Sequence, residues 1–274
     1  MPTASDGTLK RGPAAADAAE LDDTLARAVV WRQLALGFSE PGPALRRSLD
    51  DPAERLALAR ALERLGLPPL EVPDAGALER RFTELFGHTV RGGVCPYETE
   101  YGAGRVFQQT QELADLQGWY AAFGLERRPG VTERADHLGV ECEFAGFLCC
   151  KDARALELGD AEQLALARRA YRSFLRDHLA RFGVAVARRI ERADAPGLYG
   201  RLATTCRALL RAECRRLDVE RGPRAMPLRP ATEDDAPAAC GAGADCTGDE
   251  CEGSSPLGRA APRRLLSIGG GRSR

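Results

Sequence analysis

Residues 160–182 read DAEQLALARRAYRSFLRDHLARF, and the spacing of the apolar side chains in this stretch decides the fold class. Leu164, Tyr171, Phe174, Leu175 and Leu179 recur at intervals of three, four and seven. They therefore share one face of an α-helix. Two-residue alternation, the mark of a half-buried strand, is not sustained here or anywhere else in the chain. Downstream, Val184 to Arg192 predicts a short helix. Pro196 stands near the start of a final helix that reaches about Leu217, with Leu198, Leu202, Leu209 and Leu210 facing inward.

The same pattern extends upstream. Asp17 to Phe38 carries Leu21, Leu25, Ala28, Val29 and Leu36 mostly on one face, and Pro41-Gly42-Pro43 is expected to close that helix. A second stretch, Pro52 to Leu65, stops at Gly66-Leu67-Pro68-Pro69. A third begins at Asp74, a candidate N-cap, and passes through Phe82, Leu85 and Phe86 to Gly87. Val106 to Phe123 is amphipathic through Val106, Leu113, Leu116, Tyr120 and Phe123. Asp136 precedes a helix with Leu138, Phe144, Phe147 and Leu148, and is a natural N-cap for it. Between the helices, residues 88–104 hold glycines and a proline and are expected to form a loop, the kind of segment in which function concentrates.

Composition agrees with this reading. The chain has 274 residues, of which 44% are hydrophobic and only 6% aromatic. Ala and Leu dominate the apolar content, and both favour helix over strand. The expected fold class is all-α: a single globular multi-helix domain over 17–219, preceded by a disordered N-terminus, 1–16, and followed by a disordered, Cys-containing tail, 220–274. The 39 basic and 40 acidic residues are spread along the chain, which argues against nucleic acid or an anionic membrane as the main partner. No run of 18 or more apolar residues occurs, so no membrane insertion is expected. The first twenty residues lack the apolar stretch of a secretory signal, and a cytoplasmic location is expected. Nine scattered cysteines point to free thiols, with Cys142, Cys149, Cys206 and Cys214 as core residues.

The familiar catalytic signatures are absent: no phosphate loop, no dinucleotide fingerprint, no zinc-protease motif and no nucleophile elbow. Three shorter motifs remain. Phe82-x-x-Leu85-Phe86 ends a helix, and core packing alone would explain it. Pro96-Tyr97-Glu98-Thr99-Glu100-Tyr101 sets two tyrosines and two carboxylates in the glycine-rich loop. That mixture suits a partner both apolar and cationic, although the tyrosines can equally pin the loop to the body. Asp136-His137-Leu138-x-x-Glu141 places His137 and Glu141 on one helical face. In the tail, Cys240, Cys246 and Cys251 lie within twelve residues. Three thiolates can hold a metal, but their spacing fits no standard finger and a fourth ligand is not evident. Incidental cysteines in a disordered tail are the simpler reading.

Taken in order, these motifs resemble the TorD/DmsD/NarJ family of redox-enzyme maturation chaperones. Phe174-Leu175-x-x-His178-Leu179 is similar to a further segment of that family. The resemblance spans roughly residues 20–218. It implies an all-helical, non-enzymatic chaperone that holds the catalytic subunit of a molybdopterin oxidoreductase, or that subunit's twin-arginine signal peptide, during cofactor insertion. Proteins of molybdenum-cofactor biosynthesis are further expected partners. The candidate client-binding residues it implies are Leu85, Phe86, Pro96, Tyr97, Tyr101, Asp136 and His137. Glu98, Glu100 and Glu141 are added because paired arginines need carboxylates. No resident cofactor is expected; GTP, which some members are suspected of binding, would have to bind without a phosphate loop. Cys95 before the proline and Tyr97 in a place where some members carry Trp depart from the family pattern. The competing reading is a redox- or metal-responsive adaptor acting through the tail cysteines.

Overall fold

In the computed structural model the described residues are 15–71, 78–87, 93–102, 106–126, 133–230 and the pair 263–264. The elements are α1 (Ala15–Phe38), α2 (Pro43–Asp50), α3 (Pro52–Arg64), α4 (Leu78–Phe86), a 3-10 turn (Glu98–Glu100), α5 (Val106–Ala122), α6 (Leu138–Leu158), α7 (Ala161–Phe174), a π-helical turn (Leu175–Leu179), α8 (Ala180–Ala193) and α9 (Leu198–Leu217). Extended pairing among the described residues is confined to a two-residue parallel contact of β1 (Leu125–Glu126) with β2 (Arg263–Arg264) and two isolated bridges, Tyr97 with His137 and Tyr101 with Leu228. The fold is all-α, as the apolar periodicity predicts.

Two helix pairs make the core. The longest helices, α1 and α6, lie antiparallel and approach closely because glycines remove side chains at their crossing. A Cβ at Gly139 would stand 3.2 Å from the Ala35 carbonyl, and one at Gly146 would stand 3.2 Å from the Trp31 Cβ. Trp31 is fully buried there and donates its indole N–H to the Tyr171 hydroxyl at 2.8 Å, which ties α1 to α7. The second pair is α8 and α9, joined by a four-residue turn. Phe182, Val186 and Ile190 from α8 share the buried core with Leu202, Cys206 and Leu210 from α9. Asp194 caps the turn: its Oδ2 accepts from the Tyr199 and Gly200 N–H groups, and Arg81 of α4 holds its Oδ1 at 2.6 Å.

Three departures from the sequence reading have physical causes. Pro41-Gly42-Pro43 does not only end α1; Pro43 opens α2, because a proline at the first helical position gives up an N–H that has no helical partner anyway. Residues 160–192 are not two helices broken after Phe182. They run on through one π turn, and Gly183, between the two stretches, is buried against Leu210. The helix after Asp136 is capped by His137, not by Asp136: His137 Nδ1 accepts from the Gly139 N–H at 3.1 Å, while Asp136 is committed elsewhere.

Cys95, Cys142, Cys149, Cys206 and Cys214 are buried free thiols, and Cys150 is exposed. Past α9, residues 219–230 lie along the body as a strap. The Gly222 N–H donates to the Ala180 carbonyl at 2.7 Å, and Leu228 bridges to Tyr101. The described body thus continues to Pro230. Asp74, and the tail cysteines Cys240, Cys246 and Cys251, lie outside the described residues.

Candidate functional site

The loop at 95–101 and the turn at 133–138 are locked together although some 37 residues separate them. The Leu138 N–H donates to the Pro96 carbonyl at 2.8 Å and the Glu98 N–H to the Asp136 carbonyl at 2.9 Å, forming an antiparallel bridge between Tyr97 and His137. Asp136 is the centre of the lock. Its carboxylate is fully buried, and its Oδ2 accepts from the Thr99 N–H (3.1 Å), the Thr99 hydroxyl (2.7 Å) and Arg134 Nη2 (2.8 Å). Its Oδ1 accepts from Arg134 Nε at 3.0 Å. Arg134 therefore grips Asp136 with a two-point fork, the strong geometry for this pair. The same guanidinium reaches Glu100 Oε1 at 2.9 Å and lies over the Tyr97 ring, 4.8 Å from its centroid.

The remaining predicted residues surround this lock. The Tyr101 hydroxyl donates to the Cys95 carbonyl at 2.6 Å and closes the loop on itself. The His137 ring packs edge-on against Tyr97 at 5.2 Å. Burial pushes the His137 pKa down to about 4, which suits the neutral ring its cap requires, since Nδ1 must be an acceptor. Leu85 and Phe86 are buried; Phe86 packs on Phe82 and Tyr199, and the Leu85 carbonyl accepts from the Val94 N–H of the loop. Tyr97 alone of the predicted set is half-exposed; Pro96, Glu98, Tyr101, Asp136, His137 and Glu141 are all buried.

A second polar layer lies beneath the loop. Glu98 Oε2 is 3.0 Å from His178 Nδ1, and Arg181 approaches its other oxygen at 3.8 Å. His178 sits in the π turn, which directs it inward between α7 and α8. Its Nε2 comes within 3.3 Å of Asp115 Oδ2 on α5, too poorly aligned for a hydrogen bond. Glu141 is fully buried and neither of its oxygens has a hydrogen-bond partner. Burial first, and the neighbouring Glu98 second, hold its carboxyl well above the usual carboxylate range. Glu98 is raised as well, chiefly by burial, against the opposing pull of His178 and Arg181. Two buried acids and one histidine thus lie beneath the salt-bridged loop, and burial holds both acids above the usual carboxylate range.

Sequence reasoning missed Thr99, Arg134 and Asp115. Arg134 stands two residues before Asp136, a spacing that fits a local fork, but nothing in the sequence announces that Thr99 completes it. His178 stood in a noted motif without a role. Among the described residues, no group of three or more His, Cys, Asp or Glu side chains is arranged to hold a metal ion.

A family model described as nitrate reductase delta subunit matches residues 46–188, just over half of the 274 residues. The chain belongs to the nitrate reductase delta subunit family. The matched region contains the whole Asp136 lock. The chain is also similar to proteins described as chaperone protein TorD from Vibrio cholerae serotype O1 strains, with 29% identity over 142 residues to one and 28% over 139 to that of the El Tor Inaba strain. Each match covers 50% of this chain, and the chain spans 60% of the relative's length. No solved structure matches.

Proposed function

We propose that this protein is a maturation chaperone that acts by binding. It holds the catalytic subunit of a molybdopterin oxidoreductase, or that subunit's twin-arginine signal peptide, in the cytoplasm while the cofactor is inserted. The observation that carries this reading is the family match over residues 46–188, which spans the interlocked loop and turn, together with relatives described as chaperones. The chemistry of the site supports it. Asp136 and Glu100 are held by Arg134, and His137 is a helix cap, so these groups are engaged in holding shape. No helix among the described residues is long and apolar enough to cross a membrane.

Because most of the predicted binding residues are buried, they are read as the platform and not the contact surface. Tyr97 is the member of the set with surface to offer a client. Beside the platform, α5 presents Asp115, whose side chain is 65% exposed, and Glu112, which is partly exposed. A twin-arginine peptide would set its apolar stretch against Tyr97 and its guanidiniums against these acids. Occupancy would delay export until the client is loaded. Proteins of molybdenum-cofactor biosynthesis would meet the same complex as they deliver the cofactor.

Calorimetric titration of the full chain with a twin-arginine signal peptide, beside a Lys-Lys version, tests the reading. Saturable binding that weakens about tenfold in Tyr97→Ala and in Asp115→Asn is expected. Equal binding of both peptides, unaffected by either substitution, would overturn the site. No binding to the peptide or to the purified catalytic subunit would overturn the function.

A further inference from the structure

Away from the Asp136 lock, a cleft of about 430 Å³ opens between α8, the start of the 93–102 loop and the strap. One wall is a stripe of α8, where Arg189 and Arg192 lie one turn apart and Ala185, one turn earlier, leaves room beside them. Arg224 of the strap lines it as well, and the other lining residues are Gly, Ala or Val. Among the described residues no carboxylate lines the cleft. The two acids nearest in sequence are engaged elsewhere: Asp194 caps α9 and pairs with Arg81, and Glu191 pairs with Arg207.

Most arginines of the described body have an acidic or carbonyl partner. Arg192 and Arg224 have no hydrogen bond or ion pair among the described residues. Arg189 is fixed in place: it donates to the Met226 carbonyl at 2.7 Å and stacks over the Tyr101 ring at 5.2 Å. Three like charges converging on one opening repel one another, and two of them gain nothing from the protein in return. Such an arrangement is stable in water but complementary to a compact anion. A cleft with charges of a single sign also raises the local concentration of counter-ions. Guanidiniums are the side chains whose planar forks match phosphate oxygens, and the volume lies within the range of small-ligand sites.

We propose that this cleft binds a small phosphate- or pyrophosphate-bearing molecule through Arg189, Arg192 and Arg224. Arg189 is the pre-positioned anchor, and Arg192 and Arg224 close on the ligand from the helix and the strap. The site goes beyond the client-binding reading and does not depend on it: a chain that binds no signal peptide would still take the anion.

The test is calorimetric titration of the full chain with inorganic pyrophosphate at low salt. Arg192→Ala/Arg224→Ala serves as the disabling variant, since both side chains are exposed and unpaired and the fold does not rely on them. Arg154→Ala, an exposed α6 residue outside the cleft, serves as the charge control. Saturable binding that weakens at least tenfold in the double variant, persists in Arg154→Ala and fades with added salt is expected. Absence of saturation into the millimolar range would overturn the proposal. So would an equal loss in Arg154→Ala, which would signify diffuse charge. Binding of hexaglutamate but not of pyrophosphate would also overturn it and mark the cleft as a docking surface for acidic protein.

Discussion

Arg134→Ala is the substitution with the most calculable consequence. Asp136 is fully buried and loses two of its four hydrogen bonds when the guanidinium goes: both Arg134 contacts vanish, Oδ1 is left with no donor, and Oδ2 keeps only the two Thr99 bonds. Glu100, also buried, retains Gln109. Removing one partner of a buried ion pair costs about 3–5 kcal/mol, because the surviving charge stays desolvated. That range applies here because the Arg134 side chain is itself only 29% exposed. Asp136→Asn, which removes the charge while keeping the shape, leaves a cationic fork near the surface and should cost less, about 2 kcal/mol. The double variant Arg134→Ala/Asp136→Asn removes the guanidinium and the buried charge together. It should therefore be more stable than the sum of the single losses by about 1–3 kcal/mol. Urea unfolding followed by circular dichroism, with the three variants and the parent forming a cycle, measures the coupling. Additivity within about 0.5 kcal/mol would refute the idea that this pair locks the loop to the turn.

Other outcomes follow from the same geometry. His137 titrates near 4 in the folded chain against 6.5 as a free side chain, so between those values the unfolded chain binds the extra proton and stability rises with pH, by about 3 kcal/mol across the window. His137→Asn, which retains a capping acceptor, should flatten that rise in pH-dependent urea midpoints; an unchanged profile would show that His137 is charged in the fold. Glu141 shifts the opposite way. Its raised pKa means the folded chain holds a proton that the unfolded chain releases above about 4.5, so stability falls with pH at up to about 1.4 kcal/mol per unit until the folded group ionises. Glu141→Gln should remove that fall and raise the thermal midpoint at pH 8 but not at pH 4; equal effects at both would exclude a protonated acid. Trp31→Phe deletes the buried hydrogen bond to Tyr171 and should cost about 1–3 kcal/mol in thermal unfolding, leaving the fold intact.

The helices were legible because apolar periodicity states which face is buried, and the Leu164 to Leu179 stripe does so without ambiguity. What it cannot state is where polar residues go. Asp136, Glu98 and Glu141 read as surface acids suited to a cationic partner, yet all are interior. Two of the partners, Thr99 of Asp136 and His178 of Glu98, lie 37 and 80 residues away and leave no local trace. Capping was misassigned for a related reason. Asp is the commoner N-cap, but Asp136 already has a stronger use, and the next residue supplies an acceptor of its own. The strap at 219–230 escaped notice because it is held by backbone bonds and Arg229, not by apolar periodicity.

That strap also says how the site is kept in one shape. The Gly102 N–H donates to the Pro227 carbonyl, and the Arg229 N–H donates to the Glu100 carbonyl at 2.8 Å. The Arg229 guanidinium then spans from the Tyr101 carbonyl to Glu112 of α5 at 2.5 Å. Three segments far apart in sequence thus meet on Glu100 and Tyr101: the turn through Arg134, the strap through Arg229, and α5 through Gln109 and Glu112. A short loop between helices has little apolar surface with which to fix itself. Here charged hydrogen bonds from separate segments provide the fixing, and each is directional where burial is not. A loop held this way has one geometry to present, and the half-exposed Tyr97 is carried at its edge. The buried acids therefore decide where Tyr97 and the α5 carboxylates stand relative to each other.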